Sequence, residues 1–179
     1  SCDTNQPNTR KSNLVKNIRQ KSQSSDPSEL HNHRGKLFFS ANNGQNGFEP
    51  WVSGGTDNST KLFKDINHGK SSSSPSSFIS YKDSLFFSAD EGRKGFELWV
   101  SNGKSNKTKL AADIQRGTGS SSPSDLLVQG NTLYLSADDG NLGRELWSYG
   151  IKSGDYELVR DIRSGSRLGS NPSELTSLN

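Results

Sequence analysis

Ile18, Ile66, Ile114 and Ile162 stand 48 residues apart, and so do Leu37, Leu85 and Leu133. The same step relates Glu49, Glu97 and Glu145, and it relates Trp51, Trp99 and Trp147, which are all the tryptophans of the chain. Pro27, Pro75 and Pro123 keep it too, while Pro172 comes one residue late because "SGSRLGSNPS" carries an insertion. A period of this length marks a supersecondary unit that cannot bury its apolar face alone and must stack on its neighbours. The units run 13–60, 61–108 and 109–156, with a partial fourth over 157–179, after a segment 1–12 expected to be flexible.

Each unit holds four short runs rich in strand-forming residues. In the second copy they are "SFISY" (77–81), "SLFFSA" (84–89) and "GFELWV" (95–100), and "TKLAADI" (108–114) is the fourth. The runs are separated by turn chemistry: "KD" or "GN", then "DEG" or "DDG", then Asn102-Gly103. An Asn-Gly pair supplies the positive-φ positions of a tight hairpin, which predicts antiparallel pairing and a four-stranded meander.

In "LFFSA" and "LYLSA" apolar residues fall on both faces of the run. A sheet with one wet face alternates, so these strands are predicted to lie between neighbouring sheets. The expected fold is all-β: a propeller-like array of four-stranded antiparallel meanders, three complete blades with partial blades at both ends. A fourth-type strand at 13–18 and a first-type strand at 173–178 bring the expected total to fourteen. Three blades do not close a ring, since closed propellers use about four or more. The chain therefore reads as a window on a longer array, or as a subunit whose blades are completed by another chain through strand addition.

Composition narrows the function classes. Only 27% of residues are hydrophobic, so the cores are expected to be small and distributed, and a net charge of +3 is too low to keep the chain open. The pI of about 9.0 hints at an anionic partner, but Lys and Arg are interleaved with acids along the chain, so no nucleic-acid partner is expected. No apolar run is long enough to span a membrane. Without a starting Met or a signal-like stretch, the chain reads as a mature or excised segment. Cys2 is the single cysteine and forms no internal disulfide.

The turn between the second and third strands reads "ANNGQNGFE", "ADEGRKGFE" and "ADDGNLGRE". Its glycines recur and its acids vary, which favours a glycine-shaped turn. The alternative is a structural calcium at Asp90, Asp138 and Asp139, with Glu97 or Glu145 following. Apart from calcium no cofactor is expected. Asp65, Asp113 and Asp161 precede the repeating Ile and are expected to tie one blade to the next through the Ser-rich loop. Glu49, Glu97 and Glu145 lie beside Trp, yet an active site is usually one asymmetric constellation, whereas a blade contact has to repeat. The structural core is assigned to the three tryptophans with Ile18, Ile66, Ile114 and Ile162. His31 and His33 share a face if their run is a strand, the spacing of a zinc pair, but the other copies lack them. With no phosphate-binding loop and no nucleophile elbow, no catalytic residue is expected.

"NST" at Asn58 and "NKT" at Asn106 are N-glycosylation acceptors at the same place in successive copies. Finally, "ELWVSNGK", "FEPWVSGGT" and "RELWSYG", followed by "KLFKDI" and the "SSPS" step, resemble the ELWxxDGT repeat of large secreted and surface proteins. The resemblance covers residues 14–179. Pro50 replaces the Leu of that signature, its Asp is Gly54 or Asn102, and the third copy replaces the turn altogether. It implies a propeller-like array and an extracellular or cell-surface setting, and no chemistry. The expectation is a non-enzymatic structural or adhesion module whose partners are other subunits or further repeats. The alternative is a multivalent glycan-binding module with one Trp-based pocket per blade.

Overall fold

Four strands follow one another in each 48-residue unit, and each set forms its own antiparallel meander. In the computed structural model, which describes residues 12–20, 23–165 and 167–177, sheet 1 contains β1 (Ser28–His33), β2 (Lys36–Asn42), β3 (Phe48–Ser53) and β4 (Lys61–Leu62). Sheet 2 contains β5 (Ser76–Tyr81), β6 (Ser84–Asp90), β7 (Phe96–Ser101) and β8 (Lys109–Ala112), and sheet 3 contains β9 (Ser124–Gln129), β10 (Thr132–Asp138), β11 (Arg144–Gly150) and β12 (Tyr156–Arg160). The protein is all-β, with a single 3-10 turn at Ser105–Lys107 among the described residues.

The central strands are buried on both faces, as their composition predicts. From Leu85 to Ala89, β6 has no exposed residue. The two faces serve different neighbours. Leu85, Phe87, Ala89 and Trp99 of sheet 2 pack on Phe38, Val52, Phe63 and Ile66 of sheet 1. The opposite face of sheet 2, with Phe86, Leu98, Ala112 and Ile114, packs on Leu133, Leu135, Ala137, Trp147 and Tyr149 of sheet 3. The protein thus has no single core but a row of seams, each shared by two sheets.

Several local expectations change in the structure. Of Asn102 and Gly103 only Gly103 takes a positive φ (82°), and β7 connects to β8 through the longer loop holding the 3-10 turn. Five residues separate Gly103 from β8, more than a two-residue hairpin can absorb. The fourth strands are shorter than their sequences suggest. β4 pairs only through Trp51↔Leu62 and Val52↔Lys61, whereas β8 reaches Leu98↔Ala112. At Leu98's place sheet 1 has Pro50, which offers no N–H to the ladder; its carbonyl accepts from Phe63 N instead (2.8 Å).

The described residues hold twelve strands, not fourteen. Residues 13–18 and 173–177 have no ladder, but each keeps part of its repeat identity. Ile18 packs with Leu37 and Leu62 against Phe39, Ala41 and Trp51 of sheet 1. At the other end the amide of Glu174 donates to Asp125 Oδ1 (2.9 Å), as Ser77 N donates to Glu29 Oε2 at the first seam (2.9 Å). Nearly all of segment 1–12 (residues 1–11) lies outside the described residues. No helix among the described residues is long and apolar enough to cross a membrane.

Candidate functional site: the seams between sheets

The recurring glutamate closes each seam. Glu49 starts on β3, fully buried, and its carboxylate accepts from Ile66 N (2.8 Å), Asn67 N (3.3 Å), Ser73 N (2.9 Å) and Ser73 Oγ (2.6 Å). Glu97 repeats this with Ile114 N, Gln115 N, Ser121 N and Ser121 Oγ. Glu145 does the same with Ile162 N, Ser170 N and Ser170 Oγ. The inserted residue lies between Ile162 and Ser170 and is absorbed there without breaking the contact. Burial pushes the Glu49 and Glu97 carboxyls above the usual carboxylate range, and the serine and backbone donors pull them partly back. Each glutamate thus ties the third strand of its sheet to the loop that leads onward, and Ser73, Ser121 and Ser170, which sequence reasoning left inside an undifferentiated serine run, are the partners in that loop.

The same loops make backbone ties. Ser74 N donates to Phe48 O of the sheet just left, and Ser73 O accepts from Asp90 N of the sheet being entered; Ser122, Phe96, Ser121 and Asp138 repeat the pair. This close passage is what the second turn glycine permits. A Cβ at Gly47 would stand 2.2 Å from Ser71 O, and one at Gly95 2.2 Å from Gly119 O, both at a φ of +67°.

The aspartates do another job than the one expected of them. Asp65 Oδ2 accepts from Asn46 Nδ2 (3.0 Å), and Asp113 Oδ2 from Lys94 Nζ (2.5 Å). Each therefore braces the β2–β3 type of turn within its own sheet, and the loop donors go to the longer glutamate. Leu142 stands where Asn46 and Lys94 stand, so Asp161 lacks that brace; Oδ1 of all three aspartates is buried without a hydrogen-bond partner.

The turn acids cap their own loops. Asp90 Oδ1 accepts from Gly92 N (2.6 Å), Asp138 Oδ1 from Gly140 N (2.7 Å), and Asp139 Oδ1 from Asn141 N and Leu142 N (both 2.8 Å). Asn42 and Asn43 make the equivalent bonds in the first copy. An amide oxygen performs this capping as well as a carboxylate, which explains why the copies vary between Asn and Asp. Among the described residues no three His, Cys, Asp or Glu side chains converge as a metal would need.

The tryptophans are core: Trp51 is 5%, Trp99 5% and Trp147 9% exposed. Trp99 Nε1 donates to Ala89 O (3.1 Å), while Nε1 of Trp51 and Trp147 is buried without a partner. The edge of Trp147 reaches a cleft of about 530 Å³ lined also by Gln115, Arg116, Asp139, Asn141 and Tyr156. Ile66 and Ile114 are 4% and 6% exposed, but Ile162 is 58% exposed. Asn58 and Asn106 are both exposed, in the connections between third and fourth strands.

His31 and His33 do share a face of β1, and what they share there is a hydroxyl. His31 Nε2 and His33 Nδ1 lie 2.8 and 2.9 Å from Ser80 Oγ on β5. Burial lowers both histidines below their usual range; for His33 the Arg34 guanidinium adds to this.

No protein-family model matches the chain, and no curated protein matches it. Among solved structures it is similar to the computationally designed Ika4 protein, with a TM-score of 0.47 and 16% identity over 89% of this chain and 84% of that one. It is also similar to a prolyl endopeptidase, with a TM-score of 0.48 and 17% identity over 73% of this chain. The chain spans 19% of that enzyme's length.

Proposed function

We propose that the chain is a stretch of a β-propeller-like array of the ELWxxDGT type, acting as a non-enzymatic structural or adhesion module outside the cell or on its surface. The observation that carries this is Ile162. Its counterparts Ile66 and Ile114 are buried under the next sheet, whereas Ile162 stands 58% exposed at the end of the row. Sheet 3 thus offers the face that sheets 1 and 2 cover with a further repeat, and further repeats or other subunits are the partners that fit it. Sheets buried on both faces, joined by equivalent ties at each seam, support the propeller-like arrangement. The exposed sequons Asn58 and Asn106 support the extracellular setting. Native mass spectrometry of the natural protein, before and after glycosidase, tests the reading. The expected result is an assembly or chain much heavier than 19.5 kDa that loses sugar mass on treatment; an unglycosylated monomer of that mass would sink it.

The second reading is multivalent glycan binding, and the cleft beside Trp147 favours it, because an aromatic edge with Asp139, Asn141 and Arg116 has the makeup of a sugar site. Tryptophan burial at the other two copies supports the scaffold instead. Acrylamide quenching separates them: three shielded tryptophans support the scaffold, and an accessible set protected by added glycan supports the module.

A further inference from the structure

Whatever repeats at every seam has been explained by architecture, so a site for something else belongs where the repeat is broken. The clearest break is the end of the first seam where the β1–β2 hairpin of sheet 1 meets the β7–β8 loop of sheet 2. There His33, Arg34, Lys36, Phe38, Asn102, Gly103 and Lys104 line a cleft of about 300 Å³.

His33 is 2% exposed. Its Nδ1 is engaged by Ser80, but its Nε2 is buried and has no hydrogen-bond partner. The carboxylate and the backbone carbonyl of Asp83 both act to raise the His33 pKa, but no hydrogen bond of good geometry reaches Nε2. The nearest heavy atoms to a Cβ built on Gly103 would be His33 Cδ2 and Nε2, both at 3.8 Å, so this edge of the ring faces the glycine that lines the cleft. A ring nitrogen buried without a partner is costly and calls for one from outside.

Positive charge predominates around it. Lys36 and Lys104 are exposed, and neither is in an ion pair among the described residues. Arg34 Nη1 pairs with Asp83 Oδ1 at 2.7 Å. Three cations against one carboxylate leave a surplus of two positive charges. The second seam does not reproduce this: Tyr81, Lys82 and Ser84 replace His33, Arg34 and Lys36, and Lys82 Nζ lies 4.9 Å over the Tyr81 ring.

We propose that this cleft binds a small tetrahedral oxyanion, sulfate or phosphate, held by Lys36 and Lys104 with His33 Nε2 as the neutral donor beneath. The assignment requires the Ser80 hydroxyl to donate to His33 Nδ1 and to accept from His31 Nε2–H, the arrangement that keeps the His33 proton on Nε2, facing the cleft. The volume admits an oxyanion alone or one borne on a single sugar ring.

The test follows the three histidine ring signals of the whole chain by NMR at constant ionic strength maintained with chloride. The probes are inorganic sulfate, N-acetylglucosamine 6-sulfate and unsulfated N-acetylglucosamine. The expected result is a saturating shift at His33, with little at His68, a Kd of about 1 mM or tighter, and at least a roughly tenfold weaker Kd in the Lys36→Ala/Lys104→Ala variant. Saturation by sulfate alone assigns a free oxyanion, and saturation only by the sulfated sugar assigns a sugar-borne one. A shift that never saturates, one that the unsulfated sugar reproduces, or one that the double lysine variant retains unchanged overturns the proposal. Both lysines are exposed, so the variant keeps the fold.

Discussion

Ser121 Oγ donates to Glu97 Oε2 across 2.6 Å, although 24 residues separate the two in the chain. One end of this bond lies on the third strand of one sheet and the other in the loop that leads to the next. The carboxylate also holds Ile114 N and Ser121 N, so a single side chain closes the seam. In Glu97→Gln an amino group faces donors where an oxygen accepted them. The expected cost is about 1–3 kcal/mol in denaturant unfolding. Glu97→Asp, one methylene too short, should lose a similar amount by failing to reach the loop.

The same carboxyl has a pH signature. Burial raises its folded pKa above the unfolded value of 4.5, so the folded state holds the proton more tightly. Its contribution is complete below pH 4.5 and fades as pH rises through the folded value. The stability gap between the natural chain and Glu97→Gln should therefore narrow as pH rises above about 4.5, as read from paired thermal melts. A gap that widens would mean that the donors outweigh burial.

Gly95→Ala is expected to cost about 3 kcal/mol or more, from a Cβ 2.2 Å from Gly119 O together with a φ of +67°. Gly117→Ala is the control. Its φ of +97° imposes backbone strain, but nothing lies within 4 Å of its Cβ, so about 1–2 kcal/mol is expected. Equal costs at both positions would show that the close passage of the loop is not what Gly95 serves.

Trp99→Ala should destabilise by about 3–5 kcal/mol, as expected for a large aromatic lost from a core. The phenylalanine variants discriminate further. Trp99→Phe strips a donor from Ala89 O, whereas Trp51→Phe removes an indole N–H that had no partner. The first should cost about 1 kcal/mol more than the second, measured by denaturant midpoint at unchanged m-value.

His33 gives the opposite pH behaviour. Burial first, then the Arg34 and His31 charges, lower its pKa from 6.5, so its contribution is present above that value and is lost as pH falls through the folded one. Relative to His33→Gln, the natural chain should lose stability as pH falls below about 6.5. A constant gap over that range would place the ring in a wetter setting.

Much of the architecture was legible because a period of 48 needs no knowledge of contacts. The strand runs, the doubly buried centres and the burial of the tryptophans follow from which positions recur. What recurrence does not reveal is reach. Asp65 and Glu49 recur equally well, and only the fold shows that the longer side chain reaches the connecting loop at Ser73 while the shorter one braces a turn of its own sheet. Nor does recurrence show where the ladder stops, since Pro50 ends β4 by a missing N–H that the other copies possess. His31 and His33 have no counterpart in the other copies, which carry Ile79 and Tyr81, then Leu127 and Gln129. In a repeat protein that absence is the informative part, since a side chain with no counterpart is not needed to hold sheets together.

The clamp from Glu49 to Ser73 spans half a period, and everything a seam requires is encoded within one. Excision or duplication of any 48-residue block therefore leaves every surviving clamp with its partner at the correct distance, and the insertion before Ser170 shows that even the spacing within a loop is negotiable. A gene for such a chain can lengthen or shorten by unequal recombination without inventing a new contact, so copy number becomes a heritable variable for selection to act on.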